Sequence, residues 1–469
     1  AAALALLTEA GRNWPCHPQV GIEHARLLEE AGRAQEARLA LLATCSALPH
    51  RREPAMELAA LARRSGALAE ARIGSEAALE AHPRSLDVAL LAFDLRLADG
   101  ALEPARTLVG RLADELPHHR DVEKRLARLE VMDGRFERAR WRWKRIARHD
   151  IRLRDGDDPL HRCDTWPIPD TVGELRAFII ERNERTRLVW LLDHYRRLGV
   201  ERFFILDNDS DDGTLDWLRQ QPADVHVFHT AASYAAAGYG LRWTHQLLDR
   251  FGTGRWCLVV DADEALVYPH VERLSLKTLT RHLDARRAEA LFAPMLDMYP
   301  DVALDRCSYA AGESLIERFP WFDADVYAEE PALEFPFRRL TGGPRQRCFP
   351  TSAQLAAQME KVPLVRWSPD RRYLSSTHQI FPVPLAVETG LLLHFKYLPG
   401  FAHRTREEAR RGQHSMGARR YRHYLHHLAR EQSLTLHHPG SVRYRDSAQL
   451  VALGLMHSSA ELDALAGTS

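Results

Sequence analysis

The chain has 469 residues, 45% hydrophobic and 27% charged, and its 64 Lys and Arg balance 64 Asp and Glu. That length suffices for two to four domains and at least one large core. A net charge of zero argues against a protein whose main partner is a nucleic-acid backbone or an anionic membrane, because either rewards a basic excess.

The balance is uneven: +2 over residues 1–150, −5 over 151–300 and +3 over 301–469. Six acids between Glu201 and Asp216 face only Arg202, a pattern that serves equally as a solvated face or a cation site. The six cysteines are scattered without a Cys-x-x-Cys, as expected for free thiols in a reducing compartment. No apolar run approaches the length of a membrane span. The opening Ala-Ala-Ala-Leu-Ala-Leu-Leu lacks the basic flank of a signal peptide, and the missing initial Met is what a fragment of a longer chain would show.

Gly32, Gly66, Gly100 and Gly134 recur every 34 residues, each followed five residues later by Ala (Ala37, Ala71, Ala105, Ala139) and then by Arg. Pro49, Pro83 and Pro117 hold one further position, where the fourth period has Ile151. Glycine lets a turn between helices close, the small Ala lets the second helix approach the first, and Pro ends it. This period resembles the tetratricopeptide repeat, which implies an all-α array over residues 1–150 that binds a protein partner or packs on its neighbour. The basic run from Arg135 to Arg148 is read as a solvated helix face.

Residues 151–172 read as a linker of turn chemistry, including Asp157-Asp158-Pro159 and Trp166-Pro167-Ile168-Pro169. Strand-like and helix-like segments then alternate: 175–180 strand, 187–198 helix, 202–206 strand, 214–220 helix, 225–228 strand, 240–251 helix and 256–260 strand. Alternation of this kind predicts an α/β domain with a mostly parallel sheet, whose ligands bind beyond the carboxyl ends of the strands. Three of those ends are polar: Glu181-Arg182-Asn183-Glu184, Asp207-Asn208-Asp209-Ser210-Asp211-Asp212-Gly213-Thr214, and Asp261-Ala262-Asp263-Glu264. Two carboxylates with one residue between them can present oxygens to a divalent cation that bridges a diphosphate. An Asp at a strand end can accept hydrogen bonds from a base or ribose, with Ser210 and Gly213 permitting the tight turn.

With the downstream His394-Phe395-Lys396, these three motifs resemble the nucleotide-sugar half of family 2 glycosyltransferases of the GT-A fold, over roughly residues 174–420. The resemblance implies a Rossmann-like nucleotide-sugar half, Mn²⁺ or Mg²⁺, and an inverting transfer of a sugar from a nucleotide-diphosphate donor. Carried over by position, Asp207 and Asn208 hold the nucleoside, Asp261 the ribose or metal, and Asp263 the metal. Arg182, Asn183, Glu184 and Ser210 complete the expected donor site. Asp209 and Gly240-Leu241-Arg242-Trp243 depart from the family pattern.

Residues 338–396 are basic, and Lys361 and Lys396, each inside an apolar run, are expected to stabilise the departing diphosphate or an anionic acceptor. His394, emerging from Leu391-Leu392-Leu393, is the expected third metal ligand, with His378 as second choice. Asp297 is the expected catalytic base, with Asp323, Asp325, Glu329 and Glu330 as alternatives. Beyond Glu407 a basic, His-rich helix is expected to close over the site, and the family resemblance implies that Gln413 and His414 face it.

The sequence thus predicts repeats (1–150), a linker (151–172), a GT-A type domain (173–430) and a C-terminal extension (431–469). The expected activity is a metal-dependent glycosyltransferase acting on a glycan, lipid-linked or protein acceptor, in the cytoplasm or peripheral to the inner face of a membrane. Nucleic acid and transmembrane segments are not expected. The alternative is an interaction scaffold whose α/β domain is catalytically degenerate. A phosphatase using Asp261 and Asp263 is disfavoured because Glu264-Ala265 follows where such enzymes carry Thr.

Overall fold

A computed structural model describes residues 2–13, 17–48, 51–64, 67–147, 159–325, 327–331, 338–350, 357–429 and 433–467. It divides into two compact units, Ala1–Arg142 and Trp143–Ser469. Cys16, Pro49, Gly66, Arg148 and Ile151, with most of the turn chemistry between 150 and 158, lie outside the described residues, as does the side chain of Glu330.

The first unit is a succession of helices: α1 Ala2–Asn13, α2 Pro18–Glu30, α3 Ala34–Ala47, α4 Arg52–Arg64, α5 Leu68–Ala81, α6 Leu86–Ala98, α7 Leu102–Glu115, α8 Arg120–Met132 and α9 Phe136–Ala147, the last running past its boundary. Helices α2 and α3, α4 and α5, and α6 and α7 pack as hairpins. The turns follow the predicted period: Gly32, Gly100 and Gly134 adopt φ of 74°, 76° and 71°, a left-handed conformation that a Cβ would oppose. Ala37, Ala71, Ala105 and Ala139 are all 0% exposed, as close helix approach requires. The Arg after each of the first three of these Ala residues reaches into the next period, Arg38 pairing with Glu70, Arg72 with Asp99 at 2.7 Å and Arg106 with Asp133, whereas Arg140 pairs with Glu137 of its own helix at 3.0 Å. No hairpin buries its apolar face alone, so the stack shares its core with its neighbours. This is a helical repeat region resembling tetratricopeptide repeats. The basic end is only partly a solvated face, for Arg140 is buried and Arg142 bonds Glu123 and Glu130 at 2.7 and 3.0 Å.

The second unit contains β1 His161–Arg162, β2 Arg176–Glu181, α10 Arg185–Arg197, β3 Arg202–Asp207, α11 Thr214–Leu218, β4 Val225–His229, α12 Leu241–Phe251, β5 Trp256–Val259, β6 Glu264–Val267, α13 Leu276–Ala285, β7 Ala290–Phe292 and β8 Met295–Asp297. It continues with α14 Leu315–Arg318, β9 Trp321–Asp323, β10 Tyr327–Pro331, β11 Arg338–Gly342, α15 Gly343–Cys348, β12 Leu364–Arg366, β13 Tyr373–Ser375, β14 Gln379–Ile380, β15 Leu385–Thr389 and β16 Leu391–His394. Helices α16 Phe401–Arg411 and α17 Ser415–Leu428, strand β17 Ser441–Arg443, and helices α18 Ser447–Ala452 and α19 Ala460–Gly467 complete it.

Eight strands form the main sheet in the order β1-β4-β3-β2-β5-β12-β7-β15. Strands β4, β3, β2 and β5 are mutually parallel, as the alternation predicts, and their apolar runs are buried because helices cover both faces. The expected mostly parallel sheet is nevertheless mixed, because β1 joins β4 antiparallel and β12 inserts antiparallel between β5 and β7. A second sheet, β6-β16-β8, places β16 antiparallel to β6 and parallel to β8, setting His394 opposite both Glu264 and Asp297. The five described cysteines are free, and no helix among the described residues is long and apolar enough to cross a membrane.

Candidate functional site

The carboxyl ends of β2, β3 and β5 open onto a cavity of about 550 Å³ that α16 and the start of α17 border from the other side. Arg182, Asn183, Glu184, Asn208, Asp261, Asp263, His394 and Lys396 all line it. Asp207, Ser210, Lys361 and Asp297 are not part of its wall, although Ser210, Lys361 and Asp297 each contact a wall residue.

The first two motifs bind one another. Arg182 Nη1 donates to the carbonyls of Asn208, at 3.0 Å, and Asp209, while Nη2 lies 3.2 Å from Asp211. Asn183, at a φ of 55°, donates its N–H to Ser210 Oγ at 2.9 Å and its side-chain amide to Asp211 at 2.8 Å. Asn208 donates to the carbonyls of Thr230 and Ala232, both at 3.0 Å. Asp207 is 0% exposed and accepts from the Ser210 N–H at 3.2 Å. Its register partner across β2 and β3 is Glu181, a wall residue to which the sequence pattern alone assigns no role. Burial first, and the Asp207 charge second, push the Glu181 carboxyl well above its ordinary range. Glu184 takes Arg187 on one oxygen and Arg404 on the other, both at 2.6 Å, and burial raises it to about 7 despite Arg187.

The third motif is a layered charge cluster. Lys361, 1% exposed, lies 2.8 Å from Asp261 Oδ2 and 2.8 Å from Glu264 Oε1, while Glu264 Oε2 accepts the Asp261 N–H at 3.0 Å. His394 lies between two carboxylates: Nε2 is 3.3 Å from Asp263 Oδ2 and Nδ1 is 2.6 Å from Asp297 Oδ1. Arg345 donates to both oxygens of Asp297, from Nε at 2.6 Å and Nη2 at 2.7 Å. That Nη2 also lies 2.8 Å from His394 Nδ1, but a protonated Nδ1 cannot accept from it, so both groups donate to Asp297 side by side. Burial opposes the charges on His394 and Asp263, yet their mutual attraction raises the imidazole and holds Asp263 well below the usual carboxylate range. Lys396 stands 5.1 Å from the Tyr421 ring centroid and 5.7 Å from that of Tyr424, and burial, with Arg345 second, lowers it to about 8.

Asp297, the expected base, is therefore 0% exposed beneath His394 and bound to Arg345. Asp323 is equally buried, held by Arg347 at 3.0 Å, Tyr299 and His438. Asp325 and Glu329 are exposed and outside the cavity wall. His378 faces the Glu360 carbonyl at 2.7 Å and is also outside the wall. His414 lines the cavity, while Gln413 accepts from Ser233 Oγ at 2.7 Å and Ala235 N–H at 3.1 Å, tying the start of α17 to the loop after β4.

The donor chemistry suits a divalent cation: two cavity-facing carboxylates, and an imidazole whose far nitrogen is fixed by a carboxylate, the arrangement that orients metal-binding histidines. Among the described residues no three such groups stand at mutual ligand spacing, since Asp261 is turned to Lys361.

No protein-family model and no curated protein matches the chain. Solved structures similar to it include a tetratricopeptide repeat protein from Parabacteroides merdae, 19% identical with a TM-score of 0.27, where the match covers 31% of this chain and 57% of that one. A thermophilic TPR protein from Thermus thermophilus is 20% identical over 32% of this chain and 85% of its own, with a TM-score of 0.27. YrrB, a TPR protein with an unusual peptide-binding site, is 13% identical over 31% and 75%, with a TM-score of 0.26.

Proposed function

We propose that the second unit is a GT-A type glycosyltransferase that moves a sugar from a nucleotide-diphosphate donor to an acceptor hydroxyl. The observation that carries this reading is the convergence of three strand-end motifs, distant in sequence, on one cavity that pairs Asp261, Asp263 and His394 with Lys396. Asp263 and His394 are the residues that would hold Mn²⁺ or Mg²⁺, with Asp261 joining them only on leaving Lys361, and the ion would offset the charge of a departing diphosphate. Arg182, Asn183 and Asn208 shape the nucleoside end, and Asp207 acts behind them through Ser210. Lys396 faces the leaving group as a cation held against Tyr421. Asp297 is here a positioning residue that orients His394.

Calorimetry with UDP, GDP, CDP and ADP tests the reading on the full chain, with and without Mn²⁺. Binding of one nucleotide that strengthens with Mn²⁺, and loses that gain in Asp263→Asn, is expected. Absence of nucleotide binding, or the same metal dependence in the variant, refutes it. A panel of sugar nucleotides then identifies the donor.

The second reading, an interaction scaffold, draws on the repeat unit, whose stacked hairpins are suited to a protein partner whatever the α/β unit does. It prevails if the full chain binds none of the four nucleotides.

A further inference from the structure

Gly400 and Phe401, which introduce α16, belong to the walls of two cavities at once. One is the polar site described above. The other, about 510 Å³, is walled by Leu304, Phe401, Ala402, Leu425, Leu428 and Leu434. Leu425 and Leu428 stand three residues apart on α17, so they share one face, and both remain half-buried. The opposite wall is fixed by a hydrogen bond from the Leu304 N–H to the Leu434 carbonyl at 3.0 Å. Its polar lining residues are the exposed Asp305 and Arg406, and Asp305 already accepts from Ser433 Oγ at 2.8 Å. The exposed charged or titratable side chains among the described residues of α16 and α17 are His403, Arg406, Arg410, Arg419, Arg422 and His426, none of them acidic.

A half-open apolar hollow of small-ligand size with a basic surface beside it suits a molecule with one aliphatic and one anionic end. We propose that the hollow holds the aliphatic chain of a single-chain anionic lipid, its phosphate lying against the basic side chains of α16. This binding does not depend on the transferase reading.

The experiment is calorimetry of the full chain with hexyl, octyl and decyl phosphate below their micellar concentrations, with inorganic phosphate as the chainless arm and octyl glucoside as the uncharged arm. Affinity is expected to rise about fourfold per added methylene. Octyl glucoside binds more weakly than octyl phosphate, and inorganic phosphate shows no chain-dependent gain. Ala402→Trp, which fills the hollow from a half-exposed position, removes the dependence on chain length, and Leu428→Asn reduces it should the tryptophan variant not fold. Arg406→Gln with Arg410→Gln weakens the alkyl phosphates and spares the glucoside. Affinity independent of chain length, or unchanged decyl phosphate binding in both hollow variants, overturns the proposal. Chain-dependent binding without any nucleotide binding overturns the transferase reading alone.

Discussion

Replacing Lys361 by Met asks whether the cation under the third motif balances one buried carboxylate or two. Its Nζ is 2.8 Å from both Asp261 and Glu264, but the side chain of Asp261 is 54% exposed and that of Glu264 is 0% exposed. Solvent reduces the Asp261 share to the roughly 0–1 kcal/mol of a surface pair. Glu264 cannot reach water, so losing its partner falls in the range of about 3–5 kcal/mol for an orphaned buried charge. Methionine keeps most of the lysine stem, so cavity formation adds little, and a loss of about 3–4 kcal/mol follows. For a unit of this size that is a fall of roughly 5 °C in its melting transition by scanning calorimetry. The decisive arm is the double variant Lys361→Met with Glu264→Gln, which orphans no charge and recovers most of the loss. A single variant within about 1 kcal/mol of wild type, or a double variant no better than the single, would refute this reasoning.

Two further outcomes are expected. Gly240 caps α12 at a φ of 78°, and a Cβ there meets the Tyr234 ring at 2.9 Å, so Gly240→Ala costs about 1–3 kcal/mol and displaces a cavity-wall tyrosine; unchanged melting and nucleotide affinity would contradict it. Burial raises the Glu360 carboxyl from 4.5 to about 7 in the folded protein, so the folded state binds this proton more tightly than the unfolded one. Stability from this group is complete below pH 4.5 and is lost as pH rises through 7, and Glu360→Gln should flatten that decline by about 2.5 kcal/mol in denaturation at pH 5 and pH 8.

The parallel strands were legible to within a residue because each is a short apolar run buried on both faces, and the repeat was legible because its glycines and alanines answer local steric demands. What the sequence concealed is what β12 and β16 do. Asp297 looked like a free strand-end carboxylate, yet register in the second sheet puts it against His394, a residue far along the chain. Arg345 was one basic residue among many until the fold brought it to Asp297. Glu264 read as the tail of a motif, but it is the buried partner of Lys361. Short-range periodicity carries no information about such pairings.

The direction of β12 governs which parts of this fold are free to vary. Because β12 runs against β5, with Leu364 opposite Leu258 and Arg366 opposite Trp256, the chain arrives at the rim that holds Asp261 and departs at the far edge of the sheet. Lys361 is thus delivered by the approach to the strand, not by its exit. Lengthening the connection after Arg366 leaves the distance from Lys361 to β12 untouched, whereas one residue added between Lys361 and Leu364 moves the ammonium away from its carboxylates. Insertions should therefore be rare in the three positions before this strand.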